Sequence, residues 1–555
     1  MKKHLFRTLL ALSLLVVLAL AACSGESTSS ENPDDSSDQS NEEDNSSNNN
    51  DGNSDENASE GSGKDTLVFG RGADSKQLDP SKVTDGESIY VTQQIYDQLV
   101  TYEQDSTEVK PALATDWKTS DDGTVWTFTL REGVKFHDGT SFEAEDVVYN
   151  FERWTKSKDY IYYGYMFGGH EDGLIEKVEA VDEYTVKFTL KEPNAPFIQT
   201  LAMPPFGIAS PDAIEKHGEN YFKNPVGTGP FKFESWTRGD RIELSRNDDF
   251  WGQKAGVKNL TFRVIPDNGA RFMELQSGSI DLMLGLNPQD LEPAENADGL
   301  QVFRRPSMNV GYMAMNTDKE GPLADRKVRQ AINLAVDKKE LIKLFEGLGK
   351  SAKNPMPPSL WGYNDDIDPY GYDVEKAKTL LAEAGYGDGI DITLYTMPNP
   401  RPYMPQPKVT AQAIQQMLKE ANINVEIVEN DWETHLEVTQ NGEHDMALLG
   451  WTGDNGDPDN FLYVLLDKDN AKVGSAGNIA FYKNDEVHDL LKSAQSEMEQ
   501  SKRAEKYKKA QEIIHKDAPW LPIAHTTPPL VGKDNIKGYV PHATGSEKLH
   551  TITFE

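Results

Sequence analysis

A single cysteine, Cys23, occurs in 555 residues. Past that position the chain can form no disulfide, no cysteine metal cluster and no cysteine nucleophile. Positive charge is also scarce, with 56 Lys and Arg against 91 Asp and Glu and a formal net charge of −35. That balance argues against a nucleic-acid partner, because phosphate contacts need clustered Lys and Arg. Long apolar runs are missing. The strongest one, Leu9 to Ala22, is shorter than the roughly 20 residues that cross a bilayer. No G-x-S-x-G, H-E-x-x-H or G-x-x-x-x-G-K-[ST] pattern occurs, so the usual nucleophile, zinc and phosphate-loop signatures are absent. Gly227-Thr228-Gly229-Pro230 is not a phosphate loop, since Pro230 lacks an N–H and no lysine follows in register; it reads as a turn. Asp454 to Asn460 has the composition of a calcium loop but not its residue order or its closing Glu. His137, His170, His217, His435, His444, His515 and His525 form no i, i+4 pairs, so neither a metal nor a cofactor is expected. No repeat of solenoid length is evident.

Turning to what is present, Lys2, Lys3 and Arg7 precede the apolar run, which closes on Leu20-Ala21-Ala22-Cys23. A charged start, a short apolar core and a small-residue cleavage site make a secretory signal over 1–22. A cysteine directly after the cleavage point resembles a bacterial lipoprotein signal, which implies lipidation of Cys23 and a protein held on the extracytoplasmic face of the cell membrane. Residues 24–63 contain twelve acids, no Lys or Arg, no aromatic and no Leu. Such a stretch cannot bury enough apolar surface to offset the ordering of its chain, so 23–63 is expected to be a disordered acidic tether. With the leader's three bases and the tether's twelve acids set aside, the body still carries −26.

Folding signals begin at Asp65. Thr66–Gly70, Thr124–Leu130 and Tyr184–Leu190 read as strands, the last two by alternation of apolar residues with Thr or Lys. Val134–Gly139 reads as a further strand and turn. Ser141 followed by Glu143 and Glu145 reads as a helix start, with Ser at the cap and the helix running to Trp154. Farther on, Asp325–Asp337, Val374–Ala384, Gln412–Glu420 and a broken Asp485–Ile514 read as helices. Ile390–Thr396, Asn424–Val428 and Asp445–Gly450 read as strands between them. Helices and strands mix without a strict βαβ rhythm, which predicts a multi-lobed α/β or α+β body.

Three long segments carry a resemblance: WTFTLREGVKFHDGTSFEAEDVVYNFER (126–153), NPVGTGPFKFESW (224–236) and DRKVRQAINLAVDKKELI (325–342). They resemble the family 5 solute-binding proteins of bacterial peptide ABC importers, and the similarity extends from about Thr66 to the end. NPMPPSLWGYN (354–364), the Met397–Tyr403 stretch, GEHDMALLGWTGDNGDPDNF (442–461) and PWLPIAHTT (519–527) look most like the dipeptide-binding branch. The resemblance implies a three-lobed type II periplasmic-binding-protein-like fold with a hinge and a central ligand cleft. Lobe I would take 64–97, 226–308 and 524–555, lobe II 98–225 and lobe III 309–523. It implies a monomeric receptor, not an enzyme, that captures short peptides, most of all dipeptides, and delivers them to an ABC permease. Relatives of this branch carry glutathione, haem or nickel chelates, which is the alternative cargo.

A peptide is a zwitterion. Burying both of its ends is costly unless each charge is paired, so a closed site needs an acid for the ammonium and a base for the carboxylate. Arg suits the carboxylate because its planar fork makes two parallel bonds. By resemblance, the acid is Asp454 of the W-T-G-D motif and the base is Arg401 of the R-P-Y motif. Thr84 and Gly86 match a lobe I loop that bonds the peptide, with Asp85 departing from an otherwise matching loop. Tyr403, Trp432 and Trp451 match aromatic wall positions, which would accept many side chains, and Met397 is a flexible filler beside them. Tyr160, Tyr162, Tyr163 and Tyr165 cluster in lobe II, where one of them could reach the cleft.

Overall fold

A computed structural model describes residues 64–555. The signal, Cys23 and the acidic tether lie outside the described residues. Three large sheets organise the body. A seven-stranded sheet runs in the order Leu300–Arg304, Pro529–Lys533, Leu282–Met283, Thr66–Arg71, Asn259–Val264, Arg241–Arg246, Phe231–Thr237. A six-stranded sheet runs Gly349–Ser351, Trp520–Thr526, Asn309–Met315, Met446–Thr452, Ile390–Thr396, Ile423–Glu429. A four-stranded antiparallel sheet runs Ala114–Thr119, Val125–Leu130, Thr185–Leu190, Ile175–Asp182.

The strand patterns explain which faces are covered. Val125–Leu130 buries Trp126, Phe128 and Leu130 and turns the residues between them outward, as alternation requires. Asn309–Met315 and Trp520–Thr526 are buried at every position. They pair with each other in the middle of the six-stranded sheet, where helices cover both faces and no polar face is needed. Each large sheet has its own apolar core: Phe69, Phe262 and Leu282 for the seven-stranded sheet, Phe128, Phe151 and Phe188 for the four-stranded sheet. Met313, Leu394 and Ile414 lie on one side of the six-stranded sheet and Tyr312, Leu449 and Tyr507 on the other. The architecture is a mixed α/β fold, as the element pattern predicts.

Most elements fall where the pattern puts them. Arg326–Ala335 and Val374–Glu383 are helices capped by Asp325 and Asp373, whose carboxylates accept the Lys327 and Lys376 N–H groups. The expected long helix after Asp485 is two helices, Asp485–Gln495 and Gln500–Asp517. Pro407–Glu420 starts five residues before the expected Gln412, with Pro407 in the first turn, where no N–H is needed.

Two readings need correction. Val134–Gly139 forms no strand; only a single bridge joins Lys135 to Ser141. Its apolar residues are satisfied by packing instead, with Phe136 edge-on to Phe142 at 6.0 Å. The helix that follows spans Ala144–Thr155 and is capped by Glu143, not by Ser141. Asp146 closes that cap by accepting the Glu143 N–H at 2.8 Å. The strand Trp520–Thr526 is continuous, and Ala213 and Tyr221 belong to the core of the seven-stranded sheet.

Gly227 and Gly229 serve a close backbone crossing. A Cβ on either would fall 2.3 and 2.6 Å from backbone atoms of Ile95. The singled-out histidines His435, His444 and His525 are core residues whose ring nitrogens meet the backbone carbonyls of Leu448, Ile479 and Asn309.

Candidate functional site

The strand Met446–Thr452 delivers Trp451 and the loop after it to the edge of the six-stranded sheet. Gly453 allows the turn, since a Cβ there would fall 2.7 Å from the Phe461 ring. Asn460, buried at the start of helix Asp459–Leu466, organises this loop. Its Oδ1 accepts from Trp451 Nε1 at 3.0 Å and from the Asp454 N–H at 2.9 Å, while its Nδ2 donates to Asp454 Oδ2 at 3.2 Å. One amide thereby orients both the indole and the carboxylate.

Asp454 has no cation within 4 Å among the described residues. Burial pushes its carboxyl up to about 6, against the opposing hydrogen bonds from Asn460 and Tyr162. The Tyr162 hydroxyl donates to Asp454 Oδ1 at 3.4 Å, across a separation of 292 residues. Tyr162 stands on helix Ile161–Met166, beside the four-stranded sheet's core. The Asp454 charge, then burial, push its phenol above the ordinary value, and Asp85 adds to the shift. Asp85 lies in the loop that leads into helix Gly86–Ile95, which packs in the core of the seven-stranded sheet. Within that loop Thr84 and Gly86 are exposed, while Asp85 caps helix Gly86–Ile95 through Ser88. Of the four clustered tyrosines, Tyr160 and Tyr163 are buried and Tyr165 is exposed, and Tyr162 is the one hydrogen-bonded to Asp454.

The arginine is held from the other side of the strand. Gly311 and Gly450 are cross-strand partners, and together they leave a flat patch on the sheet. Tyr403 lies on it: a Cβ on Gly450 would fall 2.2 Å from its ring, and one on Gly311 would fall 2.3 Å from its carbonyl oxygen. Paired backbone bonds between Arg401 and Met404, 3.0 and 2.9 Å, close the loop, and the Thr526 hydroxyl donates to Pro402 O at 2.5 Å. Arg401 projects from this clamp with its guanidinium carbon 3.6 Å from the centroid of Trp432, close enough for a cation–π contact. Its Nε is buried without a hydrogen-bond partner, and no carboxylate lies within 4 Å of it among the described residues. Trp432 opens helix Trp432–Gln440, capped by Asp431, and packs against both cores of the six-stranded sheet.

The 401–404 clamp carries Arg401 and Tyr403, with Tyr403 in the core on one side of the six-stranded sheet. The 450–454 strand end carries Trp451 and Asp454, with Trp451 packed on the other side. Trp432 packs against both cores, and these residues make up the candidate wall. Met397 is 1% exposed and lies in the core that also holds Tyr403. Chemically, the wall offers an unpaired half-buried carboxylate and an aromatic-backed guanidinium with an unused donor. Sequence reading missed Asn460, the Gly311–Gly450 patch and the identity of the tyrosine. The i, i+3 spacing that buries Tyr160 and Tyr163 and turns Tyr162 the other way was the available signal for the last.

Outside this wall, Asp467, Asp469 and His488 bring ligand-type atoms within 4.8 Å of one another. Their geometry is accounted for by a His488–Asp467 contact at 3.0 Å, with Asp467 capping residues 468–470.

The profile of bacterial extracellular solute-binding proteins, family 5 Middle, matches residues 108–472. The chain is 38% identical to the dipeptide-binding protein of Escherichia coli, over 88% of this chain and 95% of that protein. It is 36% identical to heme-binding protein A of Haemophilus influenzae, over 89% and 93%. Among solved structures, a periplasmic binding protein associated with an ABC transporter of Helicobacter pylori, in complex with the peptide STSA, is 39% identical. It superposes with a TM-score of 0.76 over 89% of this chain and 98% of that one.

Proposed function

Because the chain belongs to the bacterial extracellular solute-binding proteins of family 5, we propose that it is an extracytoplasmic receptor that captures dipeptides and delivers them to an ABC importer. The observation that carries this reading is the pair of unmatched charges, Asp454 without a cation and Arg401 without a carboxylate. A dipeptide brings both missing partners. Its ammonium meets Asp454, with Tyr162 alongside, and its carboxylate meets Arg401. Trp432, Trp451 and Tyr403 supply apolar area for side chains of many kinds, and Met397 supports them. Thr84 and Gly86 close the other side from the seven-stranded unit. The three large sheets act as three lobes, and the ligand holds them together on closure. No chemistry is performed on the peptide.

Fixed charges at both ends limit ligand length, since each residue extends a chain by about 3.3–3.6 Å. Calorimetric titration should show tight binding of dipeptides, weaker binding of tripeptides and little of pentapeptides. Equal affinity for pentapeptides would remove the end-to-end clamp. Similarity to a heme-binding protein makes haem the rival cargo, and a Soret band that saturates at one haem per chain would favour it.

The protein is further proposed to be a monomeric lipoprotein. Acylation at Cys23, by more than one chain because a single acyl group binds membranes only marginally, would hold the receptor beside its permease on the 23–63 tether. Cys23→Ser should release or misprocess the protein in cell fractionation and leave dipeptide affinity unchanged. Continued membrane attachment would count against the anchor.

A further inference from the structure

A cavity of about 330 Å³ opens at the seam between the seven-stranded unit and the four-stranded unit. Helix Gly86–Ile95, the 250–253 turn and residues 546–551 line one side, and residues 101–112 the other. None of the wall residues around Asp454 and Arg401 takes part in it. Its volume is at the small end for ligand pockets, about 300–1,000 Å³.

Its charges are unevenly satisfied. Lys548 projects into the cavity with one protein acceptor, the Tyr102 carbonyl, and no carboxylate lies within 4 Å of it among the described residues. Burial, then the neighbouring Lys110, press its ammonium down to about 8. The carboxylates nearby are engaged elsewhere. Glu103 pairs with Lys110 at 2.7 Å. Glu547 pairs with Arg305 and accepts from the Tyr539 hydroxyl at 2.6 Å. Asp97 accepts from Thr228 and from Trp251 Nε1, both at 2.8 Å, on a single oxygen. His550 is held neutral, down to about 4, by burial and then by Lys548 and Lys110. Phe250 and Trp251, with ring centroids 5.1 Å apart, form an apolar wall beside these groups.

An ammonium with three donors and one neutral acceptor is costly to shield from water, and an anion relieves that cost. The aromatic wall calls for an apolar body, and the Asp97 and Glu547 carboxylates beside the cavity disfavour a second negative charge. We propose that this cavity binds a small monocarboxylate with a flat apolar body, its carboxylate on Lys548 Nζ and its body against Phe250 and Trp251. The site is independent of the cleft, and the proposal does not rest on the peptide reading.

Benzoate tests it, titrated calorimetrically at constant ionic strength into the full chain alone and into the chain with saturating dipeptide. Saturable one-site binding is expected in both cases. Lys548→Met should weaken it by about tenfold or more, while Lys548→Arg, which keeps the charge, should retain it. Thermal unfolding of both variants at the wild-type temperature would show the fold intact. Four outcomes overturn the proposal: no saturable benzoate binding, equal binding by Lys548→Met, displacement of benzoate by the dipeptide, or inorganic phosphate binding as tightly as benzoate.

Discussion

Asp454 and Asp457 lie three residues apart in one loop and meet opposite fates. Asp457 is sealed at the loop's root, with both oxygens on the Arg503 guanidinium at 2.8 Å and side chains only 1% and 6% exposed. Asp454, at the loop's rim, has an amide and a distant phenol but no cation. The contrast shows how the site is made. A buried carboxylate that must hold a loop is given its counter-ion by the protein. One proposed to hold a ligand is left without, so that the ligand would supply the charge. The cost of the second is tolerable because the first secures the backbone beneath it.

The largest expected effect breaks the sealed member. Arg503→Met leaves Asp457 buried and unpaired and should lower unfolding free energy by about 3–5 kcal/mol, read by chemical denaturation. A loss below about 1 kcal/mol would mean that water reaches Asp457 and that the two aspartates are alike.

Next comes the open member. Asp454→Asn keeps the shape and removes the charge. Dipeptide affinity should fall by about 2 kcal/mol or more, while the empty protein keeps or gains stability, because a desolvated charge is gone. The pH profile sharpens the point. The folded-state value of Asp454, about 6, lies above its ordinary 3.8, so protonation favours the empty fold. That contribution is fully present below 3.8 and is lost as pH rises through 6. Ligand capture needs the ionised form and should run the other way, falling by up to about tenfold per pH unit below pH 6 in the wild type and staying flat in Asp454→Asn. A wild-type affinity unchanged between pH 7 and 5 would remove Asp454 from ammonium binding.

The smallest effect tests the bridge to the neighbouring sheet. At 3.4 Å the Tyr162 bond is long for a hydroxyl donor. Tyr162→Phe should therefore cost dipeptide affinity about 0.5–1 kcal/mol, with unfolding unchanged. A loss as large as that of Asp454→Asn would make the tyrosine a primary ligand group instead of a support.

How much of this was legible in the chain depends on how local each cause is. Arg326–Ala335 and Val374–Glu383 could be read nearly to the residue, because an Asp cap and an apolar stripe lie within a dozen positions of each other. The Val134–Gly139 reading failed because alternation reports burial, and Phe136 is buried by an aromatic neighbour instead of a ladder. The W-T-G-D and R-P-Y motifs named Asp454 and Arg401. Nothing in them told that Asp457 is sealed, since Arg503 is 46 residues from Asp457 along the chain.

Composition, period and caps act over short range, so the order of residues alone was enough to set the mixed α/β class and the acidic character of the body. Folding in three dimensions was needed to settle which aspartate is sealed and which is open, and which tyrosine crosses to meet it. It was needed also to show that the glycine pair Gly311 and Gly450 clamps the arginine's loop to the sheet. Those are matters of desolvation and close approach between segments far apart in the chain, and no short-range rule carries that information.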